Sequence, residues 1–250
     1  MAEDAWQRRL AELRAAIAAH PGAQAHSAWE ELRRMVELNR RNTLELQHLL
    51  ESARSNFDLA VELIQNVGPE HKRVEFYAQL DQRLHNMLSS ATTLVDHTRR
   101  LIQKYEGSDL ASEFELRNTA VKNAQVSQFL RRFRNYLLHV GMAPLGATLS
   151  MKNVQGGTAG HFESKVELEV LVLLRWDDWT AGSLAYMHSA GDKIDLYDAV
   201  RDYAALTDEL TAWLFTRFES LHGKDVNAIN ELIGEYNQIL SGGGARREAI

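Results

Sequence analysis

The chain has 250 residues, a 45% hydrophobic share, a net charge of −6 and no cysteine. That length and apolar share suffice for one large core or two small ones, and the missing thiols exclude disulfides and thiolate metal sites. The acidic balance argues against broad nucleic-acid binding, which needs a basic surface to meet phosphates, and leaves room for a small local basic site.

The start, Met1-Ala2-Glu3-Asp4-Ala5-Trp6, is acidic and lacks the basic-then-apolar layout of a secretory signal. No apolar run approaches the roughly 20 residues that cross a bilayer. Both observations predict a cytoplasmic protein with no membrane partner.

The spacing of Trp6, Leu10, Leu13 and Ile17 predicts a first helix near 3–20, ended by Pro21-Gly22. A second helical segment, near 27–67, carries the stripe Leu46, Leu50, Phe57, Ala60, Ile64 and Val67 and stops at Gly68-Pro69. Extending that register backwards puts Asn39 and Asn42 on the same stripe. They read either as a polar or exposed helix end and register-fixing amides, or as the lining of a site.

The clearest helix spans 70–106. Tyr77, Leu80, Leu84, Met87, Ala91, Leu94, Thr98, Leu101 and Tyr105 step by three and four without a break. A third long helix, roughly 111–140, has Val126, Leu130, Phe133, Leu137 and Val140 on its inner face and closes at Gly141 and Pro144. The character then changes. Thr148–Val154 and Ser164–Leu174 read as strands around a loop with Gly156, Gly157 and Gly160, because Lys165, Glu167 and Glu169 alternate with Val166, Leu168 and Val170. Helical spacing returns at Leu196, Val200, Tyr203, Leu210, Leu214, Phe218 and Leu221, and a last helix runs near 225–240. Residues 241–250 read as a flexible tail. The predicted fold is mainly α: an antiparallel helical bundle in one domain over 1–240, with an inserted β-hairpin at about 147–175.

Chemistry concentrates at the end of the third helix, in Phe133-Arg134-Asn135-Tyr136-Leu137-Leu138-His139. Arginine holds a phosphate through its planar fork of donors, and histidine moves protons near neutral pH. Arg131 and Arg132 make this the densest basic cluster of the chain. Other pairs that fit the loose form of the pattern, Arg followed by four to six residues and then His, are Arg14–His20, Arg41–His48, Arg132–His139 and Arg217–His222. Only Arg134–His139 combines the short spacing, the asparagine, an aliphatic filling and a Gly/Pro helix stop. Five steps along a helix turn about 140° net, so Arg134 and His139 do not stand above one another, whereas Asn135 and His139 share a face.

Other candidates are weaker. Trp176-Asp177-Asp178-Trp179 reads as a turn with flanking aromatic anchors. His161 and His188 lack a helical partner spacing for a metal. No phosphate-binding glycine loop and no nucleophile elbow is present.

The phrase at 134–139 resembles the R-N-x-x-x-H motif of the HEPN superfamily, helical proteins that include RNases of toxin and defence systems. The resemblance implies a metal-independent endoribonuclease with no cofactor, whose site is composite at the interface of a homodimer. It implies catalytic roles for Arg134, Asn135 and His139, and RNA contacts for Arg131, Arg132 and Tyr136, the last being equally readable as core. It also implies an antitoxin or other regulatory partner. One departure is Gly141, which stands where the toxin branch governed by a nucleotidyltransferase often has tyrosine. The alternative is a non-catalytic helical protein that dimerises or binds a nucleotide or partner, since fold does not fix function.

Overall fold

A computed structural model of the chain describes residues 2–64, 70–152 and 161–247. The fold is mainly α with a small antiparallel sheet. In chain order the elements are α1 (Ala2–Ala19), α2 (Ala23–Ser55), α3 (Phe57–Ile64), α4 (Glu70–Gln103), α5 (Asp109–Asn123) and α6 (Gln125–His139). They continue with β1 (Leu145–Lys152), β2 (His161–Glu169), α7 (Val170–Leu173), α8 (Ala181–Ala190), β3 (Lys193–Asp195) and α9 (Leu196–Arg247). The chain forms two compact units, Met1–Arg34 with Ala212–Ile250, and Met35–Thr211.

In the first unit, Leu13, Ala28, Leu32, Leu214, Phe218, Val226 and Ile229 are buried. Trp29 packs its ring on Phe215 and Phe218 at 5.1 and 5.5 Å. The Trp6 indole N–H donates to the Ile239 carbonyl at 2.9 Å. Gly22, in the turn between α1 and α2, is needed for a close approach: a Cβ there would stand 2.8 Å from the Asp225 carbonyl oxygen.

The second unit holds the larger core, with Leu46, Leu50, Leu80, Leu84, Met87, Phe129, Phe133, Leu168 and Met187 at its centre. Asn39 is buried and accepts from the Ser90 hydroxyl at 3.3 Å, and Asn42 donates to the Asn86 carbonyl at 3.5 Å. These amides fix the register of α2 against α4, which is the structural one of their two readings.

Several boundaries differ from expectation. The segment expected to run as one helix from 27 breaks at Asn56, whose side chain accepts from Leu59 N–H at 3.1 Å and so starts α3 as a cap. The stop expected at Gly68-Pro69 and the hairpin glycines 156, 157 and 160 lie outside the described residues. The helix expected over 111–140 is two helices, because Ala124 adopts extended angles (φ −57°, ψ 130°) between α5 and α6. The second strand ends at Glu169, and the apolar run Val170–Leu173 turns into α7, burying Val170 and Leu173 while Leu171 stays exposed. The backbone of α9 is helical to Arg247, through the start of the segment expected as a tail.

The sheet has the order β1-β2-β3, antiparallel throughout. Ser164, Val166 and Leu168 of β2 face inward while Lys165 and Glu167 stay on the wetter face. Phe57 of α3 meets Phe162 on the apolar face, ring to ring at 5.3 Å.

Candidate functional site

The motif helix α6 packs against α4, α5 and α8. Its inner face is aromatic and aliphatic: Val126, Phe129, Leu130, Phe133 and Tyr136 are buried. Phe129 stacks on Phe133, on Trp179 and on Tyr186 of α8 at 5.1 to 5.7 Å. Tyr136, expected to meet RNA, is 6% exposed and sits among Phe133, Trp176 and Trp179. The physical reason is position: at three residues beyond Phe133 it falls on the core face of the helix.

Arg132 also has a role inside the chain. Its guanidinium lies 5.2 Å from the Trp176 ring centroid, donates to the Asp178 carbonyl at 2.8 Å through Nε, and pairs with the Asp178 carboxylate. The Trp179 indole N–H donates to the Leu173 carbonyl at 2.8 Å. The Trp176–Trp179 segment is thus a turn pinned by aromatic anchors, and Arg132 clasps it to α6.

The remaining motif residues stand apart from this cluster. At about 100° per residue, the order around the outer side of α6 is Arg134, Leu138, Arg131, Asn135 and His139, across a sector of about 140°. Arg131, Leu138 and His139 are exposed, and Arg134 and Asn135 are half-buried. Among the described residues no hydrogen bond or ion pair holds Arg134, Asn135 or His139, and the Arg134 Nε is buried without a partner. Arg134 and His139 mark the two rims of the sector, and no hydrogen bond joins them. Arg131 lies near Tyr203 of α9, whose phenol burial pushes up to about 12 against the opposing charge of that arginine.

The helix ends where the motif ends. Val140 N–H and Gly141 N–H both donate to the Tyr136 carbonyl, at 2.8 and 3.3 Å, so the last turn loosens only past His139. His139 lies in that last turn, where a cation is favoured by the helix dipole. Sequence reasoning set Val140 on the inner face of the helix, where the structure leaves it exposed just past the last turn, and did not single out Leu138 or Met142. Leu138, Val140 and Met142 are 50%, 49% and 64% exposed. Their signal was present in the sequence: leucine in the middle of a polar sector, then two more large apolar residues around Gly141.

Among the described residues no group of three acidic or histidine side chains could hold a metal, and no helix is long and apolar enough to cross a membrane. The chain matches no protein-family model, none of the curated proteins and no solved structure.

Proposed function

We propose that this chain is a HEPN-like, metal-independent endoribonuclease of a toxin or defence system, with its site completed in a homodimer. The observation that carries the reading is the contrast on α6. Arg132 and Tyr136 are engaged inside the chain, while Arg134, Asn135 and His139 have no hydrogen-bond or ion-pair partner among the described residues and share one outer sector. Side chains kept free beside an uncovered apolar collar suit a site that another molecule completes.

In this reading His139 takes the proton of the RNA 2′-hydroxyl as that oxygen attacks the neighbouring phosphorus, or returns a proton to the departing 5′-oxygen. Arg134 neutralises the charge that accumulates on the phosphorane oxygens. Asn135, on the His139 face, orients the imidazole or binds a phosphate oxygen. Arg131 draws the backbone in, and Arg132 acts by positioning α6. The products are a 2′,3′-cyclic phosphate and a 5′-hydroxyl. Growth arrest follows in the cell unless a regulatory partner blocks the site.

The test is cleavage of RNA by purified protein in the presence of a chelator. Wild type should cut and leave cyclic phosphate ends, and His139→Ala and Arg134→Ala should each lose about 100-fold or more. Cutting that persists in both variants, or that the chelator abolishes, refutes the reading. The exposed collar of Leu138, Val140 and Met142 also suits a non-catalytic docking protein. For that alternative, His139→Ala leaves the effect on cells unchanged.

A further inference from the structure

β1 is an edge strand, and the phase of its hydrogen bonds can be read from its ends. Glu169 N–H donates to the Pro144 carbonyl at 3.0 Å, continuing the register that sets Leu145 opposite Leu168. Antiparallel ladders alternate bonded and non-bonded pairs. Gly146, Thr148 and Ser150 therefore turn their backbone groups toward β2, and Leu145, Ala147, Leu149 and Met151 turn theirs away. The other side of β2 agrees in phase: Val170 N–H donates to the Asp192 carbonyl at 3.0 Å, so even-numbered residues there face β3. The Leu145 N–H is held by the Ala143 carbonyl at 2.8 Å. Among the described residues, the outward N–H groups of Ala147, Leu149 and Met151 have no partner.

Free edges in natural sheets are blunted by charge, proline or a bulge, or they are covered. From Leu145 to Met151 this strand has no charge and no proline, and its register with β2 runs without a bulge. Met151 is 63% exposed at its end. An edge of this kind needs a cover.

We propose that β1 pairs with β1 of a second copy, antiparallel about a two-fold axis at Thr148, joining two three-stranded sheets into one of six strands. Two chains of net charge −6 must meet where charge is absent, and this strip is neutral. Full overlap of 145–151 on itself centres on Thr148. It sets Ala147 opposite Leu149, Leu145 opposite Met151, and Gly146 opposite Ser150, so each of the outward N–H groups of Ala147, Leu149 and Met151 finds a carbonyl. Such an interface is self-complementary, as a two-fold contact requires. Val140 and Met142, just before the strand, are exposed as well. The pairing does not rest on the nuclease reading: it is a second seam, separate from the contact proposed to complete the α6 site.

The experiment is the oligomeric state of the full chain at micromolar concentration, by sedimentation or light scattering. Wild type and His139→Ala should have the same mass, at least that of a dimer. Ala147→Pro and Met151→Pro delete outward N–H groups without touching the β1–β2 bonds, and should halve that mass with unchanged circular dichroism. The chain has no cysteine, so a single one reads the register cleanly. Thr148→Cys should form a disulfide-linked dimer on oxidation. Ser150→Cys should not, because its copies lie about 13 Å apart across the axis, beyond disulfide reach. A monomeric wild type, or equal cross-linking at both positions, overturns the proposal, even where a proline variant fails to fold.

Discussion

Arg132 and Arg134 stand two positions apart on one helix and have opposite fates. The first is clasped between Trp176 and Asp178, and the second keeps a buried Nε without a partner. Arg132→Ala should therefore cost about 1–2 kcal/mol in a denaturant melt, through the lost cation–π contact and ion pair. His139→Ala, at an exposed position, should change stability by no more than about 0.5 kcal/mol. The reverse ranking would mean that the histidine is a structural part. Asp195 gives a pH test. It starts α9 by accepting from Tyr197 and Asp198 N–H at 3.0 and 3.3 Å, while Arg54 and Lys165 each approach its other oxygen to 3.7 Å. Burial, with Asp198 adding to it, raises its pKa above the ordinary 3.8. The folded state then holds this proton more tightly than the unfolded chain. Relative to Asp195→Asn, which keeps the cap, wild type should lose stability as pH rises from below 3.8 through the raised folded value. Denaturant midpoints for the pair across acidic pH measure this, and a constant difference would contradict it.

At the scale of elements, the long stripes were legible and the joints were not. Leu80, Leu84, Met87, Ala91, Leu94 and Leu101 gave α4 directly, and all six are buried. The breaks at Asn56 and Ala124 carry neither proline nor glycine, so no strong breaker marks them; a side-chain cap makes one and an extended alanine the other. The helix α8 was missed because Ala181–Ala190 is short and lacks a clean stripe, and β3 because three residues make a strand only when β2 is beside them. Two expected helices proved to be the single α9, since packing around Val226 and Ile229 outweighs the glycine at 223. For the site, periodicity alone could assign Tyr136 to the core, whereas the clasp on Arg132 depends on a turn 44 residues further on and left no local mark. Glycine gives the element-scale prediction. Gly22→Ala drives a methyl into the backbone of Asp225, whereas Gly182→Ala meets only the side chain of Gln128, which can swing aside. The first should cost about 1–3 kcal/mol and clearly more than the second, in paired thermal melts.

For the whole molecule, the proposed nuclease reading requires an acidic chain to hold RNA through few contacts. Arg131 and Arg134 are the cations of the outer α6 sector, and Arg132 is engaged elsewhere. Binding of a non-cleavable single strand should follow log salt with a slope of about −1.4 per chain, from two phosphates at roughly −0.7 each. A much steeper dependence, measured by titration at several salt concentrations, would place the RNA on some other surface.

The unit boundaries at 34/35 and 211/212 fall within the residue ranges of α2 and α9. No loop offers itself for cutting. Excising either part would sever two rods in mid-span and strand about four amide or carbonyl groups at every stump. Truncation at these boundaries should therefore yield insoluble fragments, and the chain is to be handled, and inherited, as an indivisible piece.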